Sequence, residues 1–192
     1  MKVIAINGSA RKNGNTSILI EKVFGPLREE GIECEHVQLA GHEIRGCRAC
    51  YKCSSKKNKR CSFEGDIVNE CIGKMIEADG IILGSPVYVT DVSSEMKALI
   101  DRTCMVSKTN GGLLRRKVGA AVMAVRRGGA IHAFDTMNHF FTISEMIVVG
   151  SSYWNFAFGL ERGDVIKDKE GMQTMKVLGE NMAWLLKKIN GV

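Results

Sequence analysis

Short runs of apolar and β-branched residues alternate with helical patterns along this chain, and that alternation constrains its fold more than any other feature. Lys2–Asn7, Glu33–Leu39, Gly80–Gly84, Lys117–Val125 and Met146–Gly150 read as strands. Between and after them, Asn15–Glu30, Asp66–Glu77, Met96–Arg102, a stretch around His132–Ser144 and about Glu170–Ile189 carry helical spacing. Strands and helices in regular alternation are the signature of βαβ units, so the expectation is an α/β fold with a parallel sheet. No repeat, low-complexity tract or linker divides the chain, and residues 1–192 read as one domain large enough to bury a core.

Composition narrows the class. Hydrophobic residues make up 45% and there are only 2 Pro, which excludes a disordered chain. No apolar run approaches the ~20 residues of a membrane span. The opening Met-Lys-Val-Ile-Ala-Ile-Asn-Gly-Ser lacks the long apolar stretch and cleavage site of a signal peptide. The expected location is the cytoplasm, with no membrane partner. There, the 7 Cys point to metal ligation, catalysis or burial rather than a disulfide framework.

The net charge of +6 suggests nucleic acid at first sight, but its distribution does not. Arg45, Arg48, Lys52, Lys56, Lys57, Lys59 and Arg60 supply seven of the 27 cations, and without them the balance is 20 against 21. The excess belongs to one cysteine-bearing segment and has to be explained there. No nucleic-acid partner is expected.

The turn after the first strand reads Asn7-Gly8-Ser9-Ala10-Arg11-Lys12-Asn13-Gly14-Asn15-Thr16-Ser17. A helix start offers free N–H groups and a positive dipole end, which together make an anion site. Ser9, Thr16 and Ser17 hydroxyls, the Asn15 amide and the Arg11 charge add donors suited to a phosphate monoester. A P-loop is excluded by spacing, since five residues separate Gly8 from Gly14 and Asn15 follows. The dinucleotide fingerprint G-x-G-x-x-G is absent. A plain capped helix, with Thr16 or Ser17 as the cap, is the competing reading.

Two further loops leave the carboxyl ends of strands, where open α/β sheets bind ligands. Gly84-Ser85-Pro86-Val87-Tyr88 is stiffened by Pro86. Val125-Arg126-Arg127-Gly128-Gly129 carries glycines that let backbone approach a flat ligand. Taken singly, each could be an ordinary strand-to-helix turn.

Together the three loops resemble the flavodoxin-like, NAD(P)H-dependent FMN reductase superfamily. Gly8-Ser9-x-Arg11-x-x-Gly14-Asn15-Thr16 and Pro86-x-Tyr88…Lys97-x-x-x-Asp101-Arg102 match its pattern in order and spacing, over nearly the whole chain. The resemblance implies a doubly wound five-stranded parallel sheet of order 2-1-3-4-5 with helices on both faces. It also implies an FMN phosphate held by Ser9, Arg11, Asn15, Thr16 and Ser17. The isoalloxazine ring would lie between Pro86-Val87-Tyr88 and Arg126, Gly128 and Gly129. Lys97, Asp101 and Arg102 are expected to brace a helix or a subunit contact.

Residues 41–65 show neither helical nor strand periodicity, and long loops inside compact domains are usually functional. Within them stands Cys47-Arg-Ala-Cys50-Tyr-Lys-Cys53 followed, after seven residues, by Cys61. Three cysteines at two-residue gaps with a fourth nearby can wrap one cubane, whereas structural zinc usually takes two separated knuckles. The spacing favours a [4Fe–4S] centre on Cys47, Cys50, Cys53 and Cys61, in a loop at about 44–62. Such a site carries roughly −2 overall, which the neighbouring cations would offset while steering an acidic partner. Zinc, or free redox-active thiols, are the other readings. Cys34, Cys71 and Cys104 fall in predicted strand or helix and read as buried small residues.

The combination is similar to the iron–sulfur flavoproteins, a branch of the same superfamily. That resemblance implies FMN and a [4Fe–4S] cluster, electrons from NAD(P)H or a ferredoxin-type donor, a small-molecule or protein acceptor, and a homodimer or homotetramer. A cluster-less NAD(P)H-dependent flavin or quinone reductase is one rival, and a non-catalytic electron carrier or redox sensor another. No Ser/His/Asp or Cys/His nucleophile pattern is present, so no catalytic side chain is expected and the chemistry would sit at the flavin N5. His36, His42, His132 and His139 show no metal-ligand pairing, and no carboxylate partner accompanies His132 and His139. Trp154, Phe156 and Phe158 read as core or interface packing, with a lid over the flavin as the sharper alternative. Met172, Met175, Met182 and Leu185 form a packing stripe on the last helix.

Overall fold

The first strand, β1 (Lys2–Asn7), is buried from Val3 onward and sends alternate side chains to two different cores. Val3 and Ala5 enter one; Ile4 and Ile6 enter the other. A strand buried on both faces has to be central, and it is: β2 (Glu33–Gln38) pairs with one side and β3 (Gly80–Pro86) with the other, both parallel. β4 (Val118–Val125), buried at every residue, continues the sheet beyond β3. The strand order is 2-1-3-4-5. The computed structural model describes residues 1–191.

One face is covered by α1 (Asn15–Glu29) and α6 (Lys169–Asn190). Leu19, Ile20, Val23, Phe24 and Leu27 are fully buried on α1 at helical spacing, each stabilising by about 1.5–3 kcal/mol. The predicted stripe on the last helix is present, with Met175 and Met182 buried and Met172 and Leu185 packed at the margin. The two helices approach so closely that a Cβ on Gly179 would lie 2.3 Å from the Val23 carbonyl oxygen. The other face carries α3 (Val68–Glu77), α4 (Ser94–Thr109) and α5 (Ala130–Ile143).

Three elements differ from expectation. The fifth strand is split: β5 (Ile147–Val148) pairs with Val118–Gly119, the chain leaves the sheet, and β6 (Phe156–Phe158) returns beside Met123–Val125. The departure falls at Gly150-Ser151-Ser152, and Met123 N–H donating to the Asn155 carbonyl at 2.9 Å restores the pairing. The helix expected to end at Arg102 runs to Thr109, because Thr103, Val106 and Ser107 are also buried. A five-residue helix, α2 (Lys52–Lys56), interrupts the cysteine segment between two left-handed residues, Tyr51 and Lys57. Among the described residues no helix is long and apolar enough to cross a membrane.

Candidate functional site

The carboxyl ends of β1, β3 and β4 open onto a cavity of about 270 Å³. Ser9, Arg11, Asn15, Thr16, Pro86, Val87, Tyr88 and Arg126 line it, and Ala124, Gly159 and Leu160 complete the wall. The start of α1 points there without a side-chain cap: Gly14 is the N-cap and no acidic residue stands in the first turn. Capping by Thr16 or Ser17, the competing reading, is therefore not what occurs. By contrast α4 is capped by Ser93, whose hydroxyl accepts from Met96 N–H at 3.2 Å, and α6 by Asp168, which accepts from Gly171 N–H at 3.0 Å. An uncapped helix start beside two largely buried hydroxyls, Ser9 and Thr16, is chemically matched to a phosphate.

Asn7 organises this loop from beneath. Fully buried, it accepts from Ser9 N–H at 2.9 Å and donates to Ser17 Oγ at 2.8 Å and Gln38 Oε1 at 2.9 Å. Ser17 thus faces inward as a structural partner of Asn7 and does not line the cavity, unlike its expected role. Ser93 ties the first loop to the second: its hydroxyl donates to the Gly8 carbonyl at 2.7 Å, and its N–H donates to Ser85 Oγ at 3.0 Å.

Tyr88 and Asp91 exchange backbone hydrogen bonds of 2.8 and 3.0 Å around Val89 and Thr90, both left-handed. Two β-branched residues in that region make a strained turn at the cavity rim. Gly128 and Gly129, expected against the ring, lie outside the cavity lining. Gly129 begins α5 at φ +82, and a Cβ there would meet Thr90 at 2.9 Å. Its absent side chain admits the strained turn rather than a ligand. Asp91 also places a carboxylate 3.7 Å from His132 Nε2, a partner the sequence pattern did not reveal. Trp154 and Phe158 are about half exposed and belong to an aromatic cluster with Tyr153 and Phe156.

Sequence reasoning missed Gly159 and Leu160. They are held to the first loop by Arg11, which donates to the Leu160 carbonyl at 3.1 Å, and by Asn15, which donates to the Glu161 carbonyl at 2.9 Å. Only the fold brings these segments together.

A second cavity, about 300 Å³, is lined by Cys47, Cys50, Cys53 and Cys61. Cys34, Cys71 and Cys104 lie elsewhere, and of these only Cys71 is fully buried as expected, while Cys34 and Cys104 are half-buried. Burial pushes the thiol of Cys71 up to about 12 and that of Cys34 up to about 11, as inert packing residues. At Cys50 the direction reverses: a contact of 3.3 Å with Ser62 Oγ, aided by the backbone N–H of Lys52, holds the thiol below its usual range. Among the described residues no three His, Cys, Asp or Glu side chains stand close enough to hold one metal ion. The thiols nonetheless suit a larger group whose several iron atoms each take one sulfur ligand. Four soft donors share one cavity, in a loop that turns through left-handed backbone at Ala49 and Tyr51.

The loop is anchored from α3 and α4. Asn69 accepts from Cys61 N–H at 2.8 Å and donates to the carbonyls of Cys61 and Phe63. Asn110, beyond the end of α4, accepts from Lys59 N–H at 3.0 Å and donates to the Cys53 carbonyl at 3.3 Å. Arg102 is 1% exposed and paired with the buried Asp66 carboxylate; it also donates from Nε to Cys61 Sγ at 3.3 Å. Arg102 therefore braces the cysteine loop. Its expected companions, Lys97 and Asp101, form a separate surface pair at 2.6 Å.

A family model described as NADPH-dependent FMN reductase matches residues 1–161. The chain belongs to the NADPH-dependent FMN reductase family. Membership makes it a flavin-dependent oxidoreductase that binds FMN. It is 41% identical to an iron–sulfur flavoprotein of Methanocaldococcus jannaschii, covering 98% of this chain and 99% of that one. It is 32% identical to an iron–sulfur flavoprotein of Methanosarcina thermophila, over 98% and 97% of the two chains. Among solved structures, RosB with a bound riboflavin-5′-phosphate derivative superposes with a TM-score of 0.79 at 19% identity, over 100% of this chain and 81% of that one. A flavodoxin from the Archaea gives 0.63 at 17% identity, over 97% and 99%. These two likenesses carry the flavodoxin-like fold.

Proposed function

We propose that this FMN reductase family member holds FMN across the ends of β1, β3 and β4 and a [4Fe–4S] cluster on Cys47, Cys50, Cys53 and Cys61. Electrons would come from a ferredoxin-type protein or NAD(P)H and pass to a small-molecule or protein acceptor, in the thiol-reducing cytoplasm. The protein would act as a homodimer or homotetramer. When bound, FMN supplies one- and two-electron chemistry and the cluster single-electron transfer.

One observation carries the reading: four of the seven cysteines line a single cavity, and they are the four of the compact motif. The full-length similarity to proteins named iron–sulfur flavoproteins supports it.

The chain's own residues bind, orient and balance charge. Ser9, Thr16 and the free N–H groups of α1 are donors for the phosphate, with Arg11 as its counter-charge. Pro86, Val87 and Tyr88 would form the apolar wall for the ring, and Arg126 lines the cavity from the end of β4. In the second cavity Arg45, Arg48 and Lys52 surround the cysteines and offset thiolate charge. No side chain is assigned as a proton donor or acceptor.

The test is anaerobic purification with flavin, iron and acid-labile sulfide measured per chain, followed by reduction with NADPH, NADH or reduced ferredoxin. FMN with about four iron and four sulfide supports the proposal. FMN with zinc, or with no metal, returns the protein to the cluster-less reductase reading.

A further inference from the structure

Arg102 is the bulkiest fully buried side chain among the described residues. Burying a guanidinium is costly unless its charge and donors are met. Here Nη1 meets the Asp66 carboxylate and the Arg45 carbonyl, and Nη2 meets the Phe63 carbonyl at 3.1 Å. Nε is directed to the sulfur of Cys61 at 3.3 Å. A neutral thiol is a weak acceptor, so a buried guanidinium donor aimed at sulfur is well matched only when that sulfur carries negative charge. Arg45 and Arg102 also lie over the ring of Phe63 at 5.2 and 5.4 Å, a further contact that holds the guanidinium in place.

Resting on the cluster reading above, we propose that Arg102 is a positioning residue: its Nε–H···Sγ bond orients Cys61 and raises the reduction potential of the centre Cys61 ligates. Hydrogen bonds to cluster sulfurs favour the more negative, reduced form and so raise the potential. Asp66 neutralises the guanidinium, so the effect lies in the directed bond more than in net charge. The bond is also held in place from the flavin side. Arg102 sits on α4, whose cap Ser93 is fastened to Gly8 of the first loop. Cap and arginine are nine residues apart, roughly 14 Å along a rigid helix.

The experiment compares wild type, Arg102→Lys and Arg102→Gln, purified without air. Iron, sulfide and FMN are counted, and the midpoint potential is read by a redox titration followed by electron paramagnetic resonance. Both variants should retain FMN, and their cluster potential should fall by a tenfold change in the oxidised-to-reduced ratio, about 59 mV for one electron. Arg102→Lys should fall like Arg102→Gln, because it keeps the charge and loses Nε. Should the variants fail to fold, wild type labelled with ¹⁵N at arginine Nε decides: the reduced cluster should show hyperfine coupling to that nitrogen. Loaded variants with unchanged potentials would overturn the tuning role, and a wild type without the coupling would overturn the bond. A wild type lacking iron and sulfide overturns the cluster reading itself, and this inference with it.

Discussion

Gly163 N–H donates to Asn15 Oδ1 at 2.8 Å, joining the loop after β6 to the first turn of α1 across 148 residues. The side-chain amide nitrogen of Asn15 donates to the Glu161 carbonyl, so one side chain staples the 159–163 loop to the turn proposed to hold the phosphate. Asn15→Ala removes both bonds and should loosen that wall of the cavity proposed for the flavin. FMN affinity should drop by about 0.5–1.5 kcal/mol per bond lost. Fluorescence titration of the apoprotein with FMN measures this, and an unchanged dissociation constant would show that the loop does not contact the flavin.

Ser9 and Thr16 are the two largely buried hydroxyls lining that cavity. Ser9→Ala with Thr16→Ala should weaken FMN binding by about 1–3 kcal/mol, the cost of unmade hydrogen bonds to a charged acceptor. The fold should persist, because Asn7 and Ser17 hold the turn independently. Ser17→Ala should act in the opposite sense, lowering thermal stability more than flavin affinity.

Gly179 tests the packing that aims α1. A methyl group there would sit 2.3 Å from the Val23 carbonyl oxygen and 3.2 Å from the Pro26 ring. Neither is the end of a flexible side chain, so helix must move from helix. Gly179→Ala should destabilise by about 1–3 kcal/mol, despite the better helix propensity of alanine. A urea midpoint equal to wild type would contradict the close α1–α6 contact.

How much of this was legible from residues alone depends on burial. Val3–Ile6, Ile81–Leu83 and Val118–Val125 are buried on both faces and therefore read as continuous apolar runs, the usual look of central parallel strands. The split fifth strand was not legible, because Ile147 and Val148 are 39% and 38% exposed and owe their place to pairing with β4. The first loop showed its donors but not their directions: nothing local distinguishes Thr16, facing the cavity, from Ser17, facing Asn7. Arg102 left a faint signal. It shares a buried stripe with Leu99 and Val106, and a charge on such a stripe implies a partner, though only the fold shows that the partners are Asp66 and Cys61.

Glu35 sets a pH dependence at the amino ends of the strands. Lys2 lies 2.7 Å from it and Lys74 bonds its other oxygen. Those hydrogen bonds, first from Lys2 and then from Lys74, outweigh partial burial and hold its carboxyl below the usual range. A carboxylate with a depressed folded pKa contributes stability that is present above its unfolded value, near 4.3, and is lost as pH falls through the folded one. Glu35→Gln should therefore cost stability at pH 7 and progressively less below about pH 4. Urea unfolding at several pH values reads this directly; a cost that stays constant with pH would deny the ion pairs a role.

Cys47, Cys50, Cys53 and Cys61 should each be required for the iron–sulfur centre, whereas Cys34, Cys71 and Cys104 should not. The first four line one cavity together with Arg45, Arg48, Lys52 and Arg102, and the others lie on β2, α3 and α4. Removing a thiolate from the cavity leaves three donors for a group that needs four, so iron and sulfide should be lost or the reduced-state resonance spectrum altered. FMN should remain, because the cavity proposed for the flavin and the cysteine cavity have no lining residue in common. Cys71→Ala should behave differently: it removes a fully buried sulfur from the core and should lower stability while leaving the cluster intact. Cys61→Ala is the sharpest of the set, since it also deprives Arg102 Nε of its acceptor. A cluster that survives Cys61→Ala unaltered would move the fourth ligand elsewhere, and stoichiometric zinc without sulfide in wild type would replace the cubane with a single ion.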